Sequence, residues 1–187
     1  MLLDLFKMFL SFLFIGIVIK YMDDLTDGEG NFDNFPYYLL LLSCSILLDK
    51  SLAIPCLWAA YAIGMADKLK VHYIFNLNGI VEGVVVCAVG FIIFTPLNFS
   101  YFLVLMLFIN LTDDLIDYKI DEFGKNFARK YGVIEICIIS LNLLLMLLYL
   151  DYQLTFLALI AYTGIQIFYF YRRNLNDRKD NPSFYGH

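Results

Sequence analysis

Charge is scarce in this chain. Only 17 % of its 187 residues are Asp, Glu, Lys or Arg, against about 25 % in an ordinary soluble domain. Histidine occurs twice, tryptophan once and proline four times. His72 and His187 have no second His or Cys at ligand spacing, so both read as solvated rather than as metal ligands. The four cysteines (Cys44, Cys56, Cys87, Cys137) lie inside apolar blocks and form no CxxC pair, which excludes a zinc ribbon and a disulfide frame. No GxSxG, P-loop or GxGxxG pattern is present. No basic face is visible, so nucleic acid is not an expected partner. The net charge of −5 says little about partners, because the acids cluster in two places.

What fills the chain instead is apolar. The residues AVILMFWYC make up 61 % of it, and mean hydropathy is +0.72. So much apolar surface needs lipid around it, which excludes both a water-soluble globule and a disordered chain. The expected fold class is all-α, a polytopic bundle in the bilayer. Apolar blocks run over about 2–22, 37–48, 51–66, 79–95, 99–116, 133–150 and 152–171. Residues 1–173 read as one membrane bundle, and 174–187, with Pro182 and Gly186, as a flexible polar tail. The first block carries Asp4 and Lys7 and shows no small-residue cleavage site, so it reads as a retained helix rather than a signal peptide.

Seven spans put Lys7 and Lys50 on one side and the other eleven basic residues, from Lys20 to Lys179, on the other. The crowded side is expected to be cytoplasmic, together with the C-terminus. Merging 37–66 into one helix, kinked near Pro55, makes six spans with an equally lopsided count. Seven is preferred, because the merged helix would bury Asp49 and Lys50 near mid-membrane at about 2.5–3.5 kcal/mol each. It would also put the two acidic motifs described next on opposite faces.

Residues 23–35 read DDLTDGEGNFDNF, and 113–127 read DDLIDYKIDEFGKNF. Each follows an apolar block. Asp23, Asp27 and Asn31 are spaced i, i+4, i+8, as are Asp113, Asp117 and Asp121. On a helix such residues form a ladder down one face. Asn110, Asp114, Asp117 and Asp121 also share a face. Gly28 and Gly30 loosen the first stretch, so Asn31 is expected on a loop. Like charges at this spacing repel, and a divalent cation explains why they are tolerated. Magnesium takes oxygen ligands and is typically held by one or two carboxylates plus substrate phosphates. Two facing ladders, including Asp24, would hold Mg²⁺ ions that bridge a diphosphate. The plainer reading is a pair of solvated acidic loops. In the seven-span arrangement the two motif helices run in the same direction, so both motifs face the cytoplasm.

These residues resemble the UbiA superfamily of intramembrane prenyltransferases. That family carries two aspartate-rich motifs, NDxxDxxxD and DxxxD, on its second and sixth helices. DDLIDYKID (113–121) matches the longer form, with Asp113 in place of Asn. DDLTDGEGN (23–31) matches with Asn31 in place of the last Asp. The chain resembles a version of the fold without its first and last helices, and so without the basic residues common on the first. The resemblance implies that an isoprenyl diphosphate binds through Mg²⁺ at the two motifs, with Asp27 and Asp117 as catalytic residues. Its tail would lie in an apolar cavity. Ionisation would give an allylic cation, captured by a lipophilic acceptor or by the chain's own double bond. With fewer helices than the family, a closed cavity would call for an oligomer.

Supporting residues carry two readings each. Lys119, Lys125, Arg129 and Lys130 after the second motif, and Lys68 and Lys70 on the preceding cytoplasmic loop, are either positive-inside charges or partners of diphosphate oxygens. Glu82 and Glu135 sit a few residues inside apolar blocks. An acid in a membrane segment is a functional candidate by default, and Glu82 follows Asn76 and Asn78, which makes a polar pocket there plausible. Most aromatics belong to interfacial belts, as Tyr169 and Tyr171 before Arg172 do. Tyr21 and Tyr118 flank the motifs and are candidates to line a cavity, where rings stabilise a cation.

Two other functions fit less well. Asp24-x-x-Asp27-Gly28 resembles the start of the CDP-alcohol phosphotransferase motif, but Asn31-Phe32 stands where Ala-Arg is expected. A cation transporter or membrane subunit with ion-binding ladders is the non-enzymatic reading. Transport favours acids near mid-membrane, whereas these lie at helix ends.

Overall fold

The computed structural model describes residues 2–26, 32–67, 79–118 and 126–180. They form α1 (Leu2–Thr26), a 3-10 turn (Phe32–Asn34), α2 (Phe35–Leu48), α3 (Lys50–Asp67), α4 (Gly79–Ile93), α5 (Pro96–Ile116), α6 (Phe127–Tyr131), α7 (Val133–Leu150) and α8 (Tyr152–Asp180). No strand occurs among the described residues. The chain is all-α, as its apolar blocks lead one to expect.

The breaks between helices have local causes. Asp49 is extended, at φ −155° and ψ 94°, and separates α2 from α3. Its carboxylate accepts from the Ser51 N–H at 3.0 Å, the Ser51 hydroxyl at 2.6 Å and the Leu52 N–H at 3.2 Å. That is an N-cap: a side-chain oxygen satisfies donors that the first turn leaves open. Asp151 repeats the device between α7 and α8, at φ −156° and ψ 99°, accepting from the Leu154 N–H at 2.9 Å. Thr95 is extended ahead of α5, and Pro96 takes the first helical position, where its missing N–H costs nothing. Gly132, at φ +107°, joins α6 to α7 in a conformation that disfavours a side chain.

The polar stretch from 174 continues α8 as far as Asp180. No glycine or proline interrupts the chain between Gly164 and Pro182, so nothing local ends the helix sooner. Residues 181–187 lie outside the described residues.

Among the described residues, four helices are long and apolar enough to cross a membrane: Leu2–Leu25 of α1, Pro96–Ile116, Val133–Leu150, and Tyr152–Tyr171 of α8. Seven crossings were the expectation, and these four candidates do not confirm that count. Phe32–Leu48 and Gly79–Ile93 are apolar but shorter. The 14 residues of α2 and 15 of α4 rise about 21–22 Å, short of the ~30 Å of bilayer hydrocarbon. α3 opens on Lys50 and closes on Asp67, which lowers its apolar character.

Side-chain contacts fix several helix directions. Ser11 meets Ser45, and Tyr21 stacks on Tyr38, so α1 and α2 are antiparallel. The Trp58 indole donates to the Val86 carbonyl at 2.8 Å and the Tyr61 hydroxyl to Glu82, so α3 and α4 are antiparallel. α5 and α8 are parallel, with Tyr101 beside Thr155 near one end and Asp113 beside Tyr162 and Gln166 near the other. Gly16 faces Ile165, which aligns α1 with α8. The C-terminal ends of α1 and α5 therefore share one end of the bundle.

The core gathers on α5. Phe99, Phe102, Leu105 and Met106 pack with Phe12 and Ile15 of α1, Leu52, Cys56 and Ala59 of α3, Leu147 of α7, and Ala158 and Ala161 of α8. Outward faces remain apolar: Leu47, Ile92, Ile134, Leu141 and Tyr149 are all exposed. In lipid such faces need no cover, and helices associate through close packing and hydrogen bonds. Ser11 and Ser45 supply one such contact, each hydroxyl donating to the other residue's carbonyl at 3.0–3.1 Å. Gly90 supplies another, since a Cβ there would run into the Phe99 ring.

Gly90→Ala is expected to push α4 off α5 and lower stability by about 1–3 kcal/mol. Gly64→Ala, with nothing within 4 Å of an added Cβ, is expected to be neutral or slightly stabilising. Thermal unfolding of both variants in detergent, followed by circular dichroism, checks the contrast.

Candidate functional site

The acidic motifs end α1 and α5, and both ends meet at Lys20. This lysine precedes Asp23 by three residues, so the two share a helix face. Its ammonium lies 3.6 Å from Asp23 Oδ2 and 3.7 Å from Asp113 Oδ2. Two oxygens at those distances from one nitrogen cannot be more than about 7.3 Å apart. The carboxylates of Asp24 and Asp117 also act electrostatically on the Lys20 ammonium. One carboxylate from each motif thus pairs with a single cation.

Asp113 is the junction. Its Oδ1 accepts from the Tyr162 hydroxyl and the Gln166 side-chain amide, both on α8, while Oδ2 faces Lys20. One carboxylate therefore ties α1, α5 and α8 together. A buried carboxylate needs such partners, because leaving it unpaired in a low-dielectric interior is expensive.

Asp114 turns elsewhere. Its Oδ2 accepts from the Phe127 N–H at 2.9 Å, and its carbonyl accepts from the Asn126 amide at 2.7 Å. Asn126, buried, caps α6 by accepting from the Arg129 N–H at 3.1 Å. Asp114 thereby holds the short α6 against the end of α5. Asp117 is the C-cap of α5, its N–H donating to the Asp113 carbonyl at 2.8 Å. Asn110 is half-buried one turn before the junction.

Of the basic candidates, Arg129 donates to the Tyr118 carbonyl at 2.5 Å, and its guanidinium lies 5.7 Å from the Tyr118 ring centre. These two residues engage each other at the end of α5. Tyr21 is buried and stacked on Tyr38, with ring centres 3.5 Å apart. Glu135 is exposed beside Gly132. Glu82 is fully buried. Its Oε1 accepts from Tyr61 of α3, and its Oε2 has no hydrogen-bond partner among the described residues. Asp27, Asn31, Lys68, Lys70, Lys119, Asp121 and Lys125 lie outside the described residues.

Sequence reasoning missed Lys20, Tyr162, Gln166 and Asn126. Lys20 counted only as a topology charge. Tyr162 and Gln166 did carry a signal: two hydrogen-bonding side chains at i, i+4 within an apolar block, hence on one helix face.

Among the described residues, no three His, Cys, Asp or Glu side chains are grouped to hold a metal ion. Magnesium does not need three, since one or two carboxylates with phosphate oxygens suffice. Asp23 and Asp113 already turn toward one shared cation.

Comparison with protein-family models, with curated proteins and with solved structures finds no match to this chain.

Asp113→Ala strips Lys20, Tyr162 and Gln166 of their shared acceptor, and is expected to cost about 2–4 kcal/mol. Tyr162→Phe removes one donor and is expected to cost about 0.5–1.5 kcal/mol. Unfolding midpoints of the two variants in detergent test this order.

Proposed function

We propose that this chain is a Mg²⁺-dependent membrane enzyme that transfers, or cyclises, the isoprenyl group of an isoprenyl diphosphate. One observation carries the reading: Asp23 and Asp113, from two separate acidic motifs, clasp the same cation across the ends of α1 and α5. Carboxylates joined this way can share metal ions on a single diphosphate. The resemblance of both motifs to those of the UbiA superfamily points to the same substrate.

On this reading Asp23, Asp24, Asp113 and Asp117, with Asp27, Asn31 and Asp121 of the same motifs, hold the metal. When bound, Mg²⁺ supplies charge neutralisation of the departing pyrophosphate as the carbon–oxygen bond breaks. Tyr162 and Gln166 fix the Asp113 carboxylate, so that it meets its ligand already oriented. The apolar helix faces receive the isoprenoid tail, and a lipophilic acceptor captures the allylic cation. The same reading takes seven crossings, with the acidic end and the C-terminus in the cytoplasm.

A non-enzymatic reading, an acidic ion-binding membrane subunit, has one observation in its favour. The partners of Asp113 make it a structural tie even without a ligand.

Turnover decides between them. Purified chain with Mg²⁺ and an isoprenyl diphosphate is expected to release pyrophosphate. Asp27→Ala and Asp117→Ala are expected to lower that rate at least about 10³-fold, or roughly 4 kcal/mol of transition-state stabilisation, while the protein stays folded. Undiminished release in both variants would overturn the proposal. A reporter fused to the C-terminus, active only in the cytoplasm, is expected to be active.

A further inference from the structure

Of the four candidate spans, α7 is the least covered by its own chain: 17 % of it is buried, against 22–39 % of the other three. Its covered face carries Ile136, Ser140 and Leu147, which turn toward the bundle. Across the helix from them, Ile138, Asn142, Leu145 and Tyr149 are all exposed. These four follow one another at intervals of four, three and four residues. That is the a and d line of a heptad, the seam along which two helices pair with knobs in holes. Ser140 and Leu147 fall at position f, opposite the seam.

Asn142 is the residue that a lone helix in lipid does not explain. It is the tenth of the 18 residues of α7, about 13–14 Å from Val133 and so near mid-span. Its side-chain amide donates to the Ile138 carbonyl at 2.8 Å. Among the described residues its second N–H and its Oδ1 have no partner. Hydrocarbon offers no water to satisfy them, and the side chain is too short to reach the interface. Thr163, also exposed on a span, differs: its one hydroxyl proton goes to the Leu159 carbonyl at 2.8 Å.

We propose that α7 pairs in parallel with α7 of a second copy of this chain along the Ile138, Asn142, Leu145 and Tyr149 seam, with the two Asn142 amides hydrogen-bonded to each other. A second copy is the partner this face fits. Copies inserted in one direction carry Asn142 at the same depth, so a two-fold axis along the membrane normal brings amide to amide without a shift of register. The amide is its own complement, because the free N–H of one matches the free Oδ1 of the other. A single Asn at an a position is also what fixes register in a parallel helix pair. Ile138 and Leu145 pack on either side of it. Glu135 continues the line by one more turn, but it lies in the first turn beside Gly132, at the margin of the span, where its charge stays in water. The proposal stands independently of the diphosphate reading.

The test is Förster transfer between full chains labelled at the C-terminus with donor or acceptor, mixed in phosphatidylcholine vesicles over a range of protein-to-lipid ratios. Wild type is expected to show transfer that rises with protein density and follows a dimer's dependence on acceptor fraction. Asn142→Val is expected to weaken association at least about fivefold, the scale of one hydrogen-bonded contact between helices in a membrane. Asn142→Gln keeps the donors and the acceptor and is expected to retain most of it, and Thr163→Val is expected to change nothing. Asn142 is exposed, so unchanged melting of the variants in detergent by circular dichroism is expected to show that the fold is kept. As a second measurement, Leu145→Cys is expected to give a disulfide-linked dimer under mild oxidant beyond anything the wild-type cysteines give. Absence of transfer in wild type at every density, undiminished transfer in Asn142→Val, or no added cross-link in Leu145→Cys overturns the proposal.

Discussion

A carboxylate at the margin of an apolar bundle has to find partners, and Asp113 finds three on two other helices. Lys20 neutralises one oxygen from α1, while Tyr162 and Gln166 satisfy the other from α8. The demand is electrostatic: an unpaired charge in low dielectric costs several kcal/mol, and a paired one sets the relative height of every helix that contributes. Because Asp113 sits on α5, the helix that also carries the centre of the core, this junction aligns the acidic end with the packing beneath it.

Elsewhere the bundle uses small residues and short polar ties. Ser11 and Ser45 exchange hydrogen bonds between α1 and α2, and Tyr101 meets Thr155 between α5 and α8. Gly16 and Gly90 admit Ile165 and the Phe99 ring. This is the economy of a lipid environment, where apolar burial between helices brings little and close approach counts for more. Glu82 stands apart from it: fully buried, it accepts from Tyr61, and its second oxygen has no partner among the described residues.

The family resemblance and the geometry bear on different questions. The resemblance rests on two short motifs and implies a chemistry. The geometry concerns whether those motifs meet, and the shared cation at the ends of α1 and α5 brings them within reach of one ligand. Asp114, read from spacing as one ligand among equals, also caps α6 with Asn126. Spacing along a helix gives the face a residue occupies, but not which neighbour claims it.

The amino-acid order alone determined the helical class and the breaks at Asp49 and Asp151. Each is a local property: apolar run length and capping chemistry. α8 runs on through the polar stretch from 174 to Asp180, where no glycine or proline stands in its way. Only the tertiary structure decided that Lys20 joins the motifs and that Tyr162 and Gln166 hold Asp113. Among the described residues, four helices meet the length and apolarity of a crossing. Those partners lie about 50 to 90 residues from Asp113 along the chain, and a pairing over that distance depends on how helices pack side by side, which no local pattern encodes.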